Sequence, residues 1–245
     1  MPAPTDIPAA LRGGPFTLKQ ARSLGLSREV LRGRRFRRVL KEVFVLAEIP
    51  IGAELVARAA LLRLPTGAVL SHLSAALLHR LPVADGRDAH VTLDDPAGSH
   101  RLAGVRIHRR RLLPGDKTHR RGLPVTTAVR TFIDLAESLP LVELVVVGDA
   151  MCRKSMTSAE QLRIAAAGDH GRHCRLARSA AALVRHDVDS PMETRVRLMI
   201  VLAGLPEPRI AQDVFDGSGG WIARLDLSYP EAKVAIEYDG THHFA

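Results

Sequence analysis

The spacing of apolar residues changes period several times along this chain, and each change marks an element. Thr17 stands ahead of Leu18-Lys19-Gln20-Ala21-Arg22-Ser23-Leu24, a helical run that Gly25 closes. A threonine there suits the N-cap, where its hydroxyl accepts from an amide that the first turn leaves unpaired. Ser27 caps a second helix, from Arg28 to about Arg34, and Arg37 to Leu46 then alternates like a pair of strands. Two short helices about a glycine turn, with a strand pair to supply a wing, form a winged helix-turn-helix pattern.

Helices are expected over 52–64 and 68–81, and strands over 89–93 and 104–108. Thr126 or Thr127 caps a helix through Ala136. Another runs from Leu141 to Arg153, deeply buried because of Val145-Val146-Val147, and Thr157 or Ser158 caps a third to Ala167. The Ala/Arg-rich run from Arg172 to His186 reads as a helix that connects domains. Ser190 and Glu193 make a capping box for a helix from Pro191 to Ala203, which Gly204 stops. The period then falls to two, with strands over 209–215 and 221–228 around a tight turn at Asp216–Gly220. Tyr229-Pro230-Glu231-Ala232 is a second turn, because proline fixes φ and cannot continue a ladder. Lys233 to Tyr238 comes next as a largely buried strand. The fold class expected is α+β or α/β multidomain, with a winged helix-turn-helix over 1–50, a mixed α/β middle region over 51–187 and an αβββ fragment over 188–245.

Charge adds a partner to this outline. The 245 residues carry a net charge of +9, and residues 1–40 hold nine Lys and Arg against two acidic residues. Such clustering favours a polyanion, with nucleic acid first and a membrane surface second. Arg28, Arg32, Arg34, Arg35, Arg37 and Arg38 lie where a recognition helix and wing would meet DNA phosphates. Arg109-Arg110-Arg111 and His119-Arg120-Arg121 add a second basic patch. Cys152 and Cys174 form no Cys-x-x-Cys, which excludes a disulfide framework or a cysteine zinc site and points to a reducing cytoplasm. No apolar run is long enough to span a bilayer, and the opening Met-Pro-Ala-Pro-Thr-Asp has no signal-peptide pattern. His72 and His79 lie two helical turns apart with no third ligand near in sequence, so a packed or surface role is expected of both rather than metal binding. Asp134 and Asp149 each sit singly in a helix and are read as structural.

The densest chemistry lies in the last twenty-five residues. A hairpin about the Pro230 turn brings Asp226 and Glu237 towards each other on adjacent strands. Asp239, two residues beyond Glu237, points to the same face. His242 and His243 come just after. Three carboxylates and a histidine converging at strand ends make an oxygen-rich site suited to a hard cation such as Mg²⁺.

Glu193, Gly204-Leu205-Pro206-Glu207-Pro208, Gln212, Asp226 and Glu237-Tyr238-Asp239-Gly240-x-x-His243 together resemble the restriction-endonuclease-like domain of the PD-(D/E)xK superfamily, in the branch related to very-short-patch-repair endonucleases. The region from Phe16 to Val45, with Arg106-Ile107-His108-Arg109-Arg110, Leu123-Pro124-Val125-Thr126, Arg130-Thr131 and Asp134-Leu135-Ala136, resembles AbiEi-type antitoxins, which begin with a winged helix-turn-helix. The first resemblance implies that Asp226 and Glu237 ligate Mg²⁺, that Asp239 or His243 assists the metal or the attacking water, and that Glu193 orients the site. The superfamily's usual lysine, two residues after the second acid, is here Asp239. The superfamily fold continues with a helix and a strand beyond the point where this chain ends, so a truncated domain, or a partner covering the sheet edge, is expected. The expectation is a DNA-binding protein that cleaves phosphodiester bonds with Mg²⁺. The alternative is a repressor or antitoxin, paired with a toxin-like protein, whose nuclease remnant is inactive. A nucleoid-type binder without sequence preference is the third reading.

Overall fold

The computed structural model describes residues 6–94 and 100–239, in which several β-sheets alternate with helices. The chain divides into two compact units, residues 1–80 with 84–127, and residues 81–83 with 128–245. This grouping differs from the three-part reading. It joins 1–50 to the first half of the middle region and joins the second half to the C-terminal segment.

The first unit begins β1 (Phe16–Thr17), α1 (Leu18–Ser23), α2 (Arg28–Leu31), β2 (Phe36–Leu40) and β3 (Val43–Leu46), with the strands in the order β1-β3-β2. The caps stand where the sequence places them. Thr17 and Gln20 form a full capping box, Gly25 turns the chain at φ +83°, and the Ser27 hydroxyl accepts from the Val30 amide. The second helix is shorter than expected. It ends at Leu31, and Arg34 and Arg35 fall in the turn before β2. Phe16 fixes this segment, edge-on to Phe36 at 6.1 Å and stacked on Phe44 at 6.5 Å.

The unit continues with α3 (Ala53–Leu61), β4 (Val69–Leu70), α4 (His72–Leu78), β5 (Ala89–Leu93), β6 (Val105–Arg109), β7 (Lys117–Arg120) and β8 (Leu123–Thr126). The strands make a mixed sheet in the order β6-β5-β4-β8-β7. Val69 and Leu70, expected to open a helix, instead pair with β5 and β8, and the helix begins only after Ser71. The β2–β3 tip does not project as a free wing. Leu40 and Val43 are buried with Ala57, Leu70, Val91 and Val125 in the core under this second sheet. That shared core is why residues 1–50 do not form a unit of their own.

The second unit holds α5 (Ala128–Leu135), α6 (Leu141–Arg153), α7 (Ala159–Gly168), α8 (Cys174–Leu183) and α9 (Pro191–Leu202), then β9 (Arg209–Phe215), β10 (Trp221–Tyr229) and β11 (Val234–Ile236). The strands form an antiparallel sheet in the order β11-β10-β9. Helix α8 is no linker, since Ala177, Ala180 and Ala181 are buried. Helix α6 is buried along its middle, and Gly148 is required there because a Cβ would run into Val184 and Phe132. Both lone helical aspartates have basic partners. Asp134 pairs with Arg130 at 2.8 Å, and Asp149 with Arg197 at 3.0 Å. Among the described residues no helix is long and apolar enough to cross a membrane.

The Asp149–Arg197 pair lies at the junction of α6, α8 and α9. Arg197 Nη2 donates to Asp149 Oδ2 and to the Leu183 carbonyl, both at 3.0 Å, while Nη1 reaches Glu207 at 2.9 Å. Asp149 also accepts from Thr194 Oγ1 at 3.0 Å and from the Arg185 amide at 2.8 Å. Removing one member of a buried pair strands the other charge in low dielectric. Asp149→Ala is expected to lower unfolding free energy by about 3–5 kcal/mol in urea titrations, and pairing Asp149→Leu with Arg197→Met to restore much of it. Equal losses in the single and double variants would contradict this account.

Candidate functional site

The carboxylates of the C-terminal segment are placed by one helix start and one hairpin. Ser190 caps α9 by accepting from the Glu193 amide at 3.1 Å, but the Glu193 carboxylate accepts from the Asp189 amide at 2.9 Å rather than from that of Ser190, so the expected reciprocal box is only half formed. Glu193 is buried and holds the helix start, as a first-turn acid does. In the hairpin, Leu227 pairs with Ile236, Ser228 with Ala235 and Tyr229 with Val234. Continued by one residue, that register sets Asp226 opposite Glu237. Asp226 Oδ2 accepts from the Tyr238 amide at 3.1 Å, which ties the half-buried aspartate to the chain just past Glu237.

Glu237 feels both acids. Local desolvation, then the Asp226 carboxylate, push its pKa above the ordinary glutamate value; the Asp226 amide opposes this, and Glu193 adds to the rise. The three acids are therefore electrostatic neighbours. Among the described residues, however, they do not form a set whose ligand oxygens all lie within 4.8 Å of one another. The strand that carries Glu237 departs from expectation. Lys233–Tyr238 is not largely buried, since β11 is three residues long, Val234 is 43% exposed and Glu237 itself is exposed. β11 is an edge strand of its sheet. Asp239 is exposed, and His242 and His243 lie outside the described residues.

The basic residues of the first unit occupy one short stretch. Arg28 lies on α2, Arg32 caps its C-terminus, Arg34 and Arg35 sit in the next turn, and Arg37 and Arg38 lie on β2. All six are exposed. Arg28, Arg32, Arg38 and Lys41 line one groove of about 870 Å³ with Leu31 and Phe36. Arg37 donates to the Ile49 carbonyl, and the Arg35 guanidinium sits 5.9 Å from the Phe36 ring centre. The second basic patch is engaged locally, with Arg121 on Glu54 and Arg120 Nε on His79 Nδ1 at 3.3 Å.

Histidines 72 and 79 separate. His79 Nε2 meets the Thr126 carbonyl at 2.8 Å, a packed role as expected. His72 instead joins His90 and His108, a grouping that sequence spacing does not show.

No protein-family model matches the chain. Two curated relatives, the uncharacterized proteins MT2308 and Rv2248 of Mycobacterium tuberculosis (strains CDC 1551 / Oshkosh and ATCC 25618 / H37Rv), are each 26% identical over 149 residues, covering 60% of this chain and 54% of theirs. The chain thus spans about half the length of the curated relatives it matches. The crystal structure of the RV2827C protein from Mycobacterium tuberculosis matches 84% of each chain at 17% identity, with a TM-score of 0.48.

The opposed acids make a measurable claim. Carboxyl-detected NMR should show Glu237 titrating above the ordinary glutamate range, and Asp226→Asn should bring it down. An ordinary titration in both proteins would mean that the two side chains do not face each other.

Proposed function

We propose that this chain binds DNA through the N-terminal helix-turn-helix and the β2 strand of its braced hairpin, and hydrolyses phosphodiester bonds at a Mg²⁺ site held by Asp226 and Glu237. The observation that carries the reading is the proximity of these two acids one step beyond the β10–β11 ladder, in a chain whose basic residues crowd into the stretch from Arg28 to Arg38. Two opposed carboxylates repel each other, and a hard divalent cation shared between their oxygens relieves that repulsion. The donor set fits. Asp226 keeps Oδ1 free of the Tyr238 amide, and exposed Glu237 leaves room for the water ligands that Mg²⁺ retains. Mg²⁺ held there supplies charge neutralisation at the phosphate and a lowered pKa for bound water.

The chain's own residues supply the rest. The Tyr238 amide orients the Asp226 carboxylate, and Glu193, pinned by its cap, keeps negative charge beside Glu237. Asp239 or His243 takes the proton from the attacking water. The α2–β2 arginines neutralise backbone phosphates, which positions DNA without reading its sequence. A second reading, a repressor or antitoxin with an inactive nuclease remnant, is favoured by Asp239 standing where the superfamily carries its lysine.

Two measurements test the proposal. Replacing Arg32, Arg34 and Arg38 together with alanine is expected to weaken DNA binding and reduce the slope of log K against log salt by about 0.9 for each phosphate no longer neutralised. An unchanged slope would move the interface elsewhere. Purified protein with Mg²⁺ is expected to nick supercoiled plasmid, and Asp226→Ala to abolish nicking while retaining binding. Nicking that survives in Asp226→Ala sinks the assignment, whereas operator binding without any nicking supports the repressor reading.

A further inference from the structure

Beneath α4 the first unit buries a polar group that the carboxylate site and the basic face leave unexplained. Ser71, His72, Ser74, His90 and Thr92 are each 7% exposed or less, and half-buried His108 joins them. Their placement comes from the sheet. Strands β5 and β6 run parallel, with His90 beside Arg106 and Thr92 beside His108, so His90 and His108 share one face two residues apart. The Ser71 amide donates to the His90 carbonyl at 3.0 Å, and the Ser74 hydroxyl accepts from the His90 amide at 2.8 Å. These bonds hold the start of α4 over that face and bring His72 into the group.

His90 Nδ1 and His108 Nε2 lie 3.1 Å apart, and one ring nitrogen from each of the three histidines lies within 4.8 Å of the others. Two nitrogens bound to one tetrahedral Zn²⁺ at its usual bond length stand about 3.3 Å apart. We propose that His72, His90 and His108 form a Zn²⁺ site, with three imidazole ligands and a fourth position left for water.

Two further features support the assignment. First, the outer partners fit. His72 Nδ1 lies 3.0 Å from Ser71 Oγ, which also accepts from Thr92 Oγ1 at 2.8 Å. With Nδ1–H donating to Ser71, His72 offers Nε2 to the ion, and a hydroxyl behind an imidazole is the arrangement that fixes a metal-binding tautomer. Second, His72 has φ +48°, a left-handed conformation uncommon for residues other than glycine. The rings of His72 and His108 stack at 3.5 Å and 15°. Convergence on one ion therefore requires one of these two rings to turn out of the stack. Nitrogen donors alone select a borderline ion such as Zn²⁺ over Mg²⁺, which keeps this site distinct from the carboxylates.

The test uses the full, untagged chain, stripped with a chelator and titrated with Zn²⁺ by calorimetry. One ion per chain is expected at submicromolar Kd. His90→Gln with His108→Gln should lower that affinity at least 100-fold, and Ser71→Ala roughly 10- to 100-fold. Zn²⁺ titrated into the wild-type chain should shift the ring resonances of three histidines together in ¹⁵N-imidazole NMR spectra, a readout that needs no variant to fold. Co²⁺ should give the intense visible bands of a four-coordinate ion. Absence of binding at micromolar Zn²⁺, affinity unchanged in the double variant, or ring shifts confined to other histidines would each overturn the proposal and leave a hydrogen-bonded histidine stack. None of these outcomes depends on whether the chain cuts DNA.

Discussion

A guanidinium with none of its surface in water sets the terms for the second unit. Arg197 cannot shed its charge, so its burial requires fixed acceptors, and three elements supply them: α6 through Asp149, the end of α8 through Leu183, and the loop before β9 through Glu207. Glu207 accepts from Arg185 as well. A second cross-helix pair, bidentate Arg195 on Glu143, sits on the outer side of the same contact. Pairs of this kind rarely add much net stability over a hydrophobic packing, but their geometry admits little slippage. Helix α9 is thereby held at a set rotation and depth, and Glu193 at its first turn inherits that placement. The carboxylate group thus rests on a charge network that begins one helical turn away.

In the first unit a shared hydrophobic core has the equivalent role. Leu40 and Val43 at the β2–β3 tip are buried with residues of α3, β4, β5 and β8. The basic stretch from Arg28 to Arg38 is consequently mounted on a surface braced from behind by the mixed sheet. A positively charged groove on a rigid support meets a phosphate backbone with less ordering cost than the same residues on a flexible arm.

What could be read from the sequence was local. Thr17, Ser27, Ser158 and Ser190 act through bonds three residues long, and all four cap the helices expected of them. The Asp226–Glu237 pairing was also legible, because Pro230 marks the turn and the period of two does the rest. The histidine group was not. Its members come from a helix start and two parallel strands, and the crossover that joins such strands has no fixed length in sequence. The exposure of β11 was missed for a different reason. Val234-Ala235-Ile236 is apolar, but apolar composition does not say whether anything packs against it. The strand Val69–Leu70 lost its identity to the helical pattern beyond Ser71.

The connection between β10 and β11 is short and conformationally particular. Pro230–Ala232 form a single 3-10 turn, and Lys233 adopts the left-handed region at φ 53° before the chain re-enters the sheet. Side chains alternate faces at every step along a strand, so this turn acts as a parity device. A slip of one residue in the register that this turn sets would carry Glu237 to the opposite face from Asp226. A slip of two would return Glu237 to that face but two positions along from Asp226. The register fixed by this turn therefore constrains the carboxylate pair as firmly as the identity of either acid.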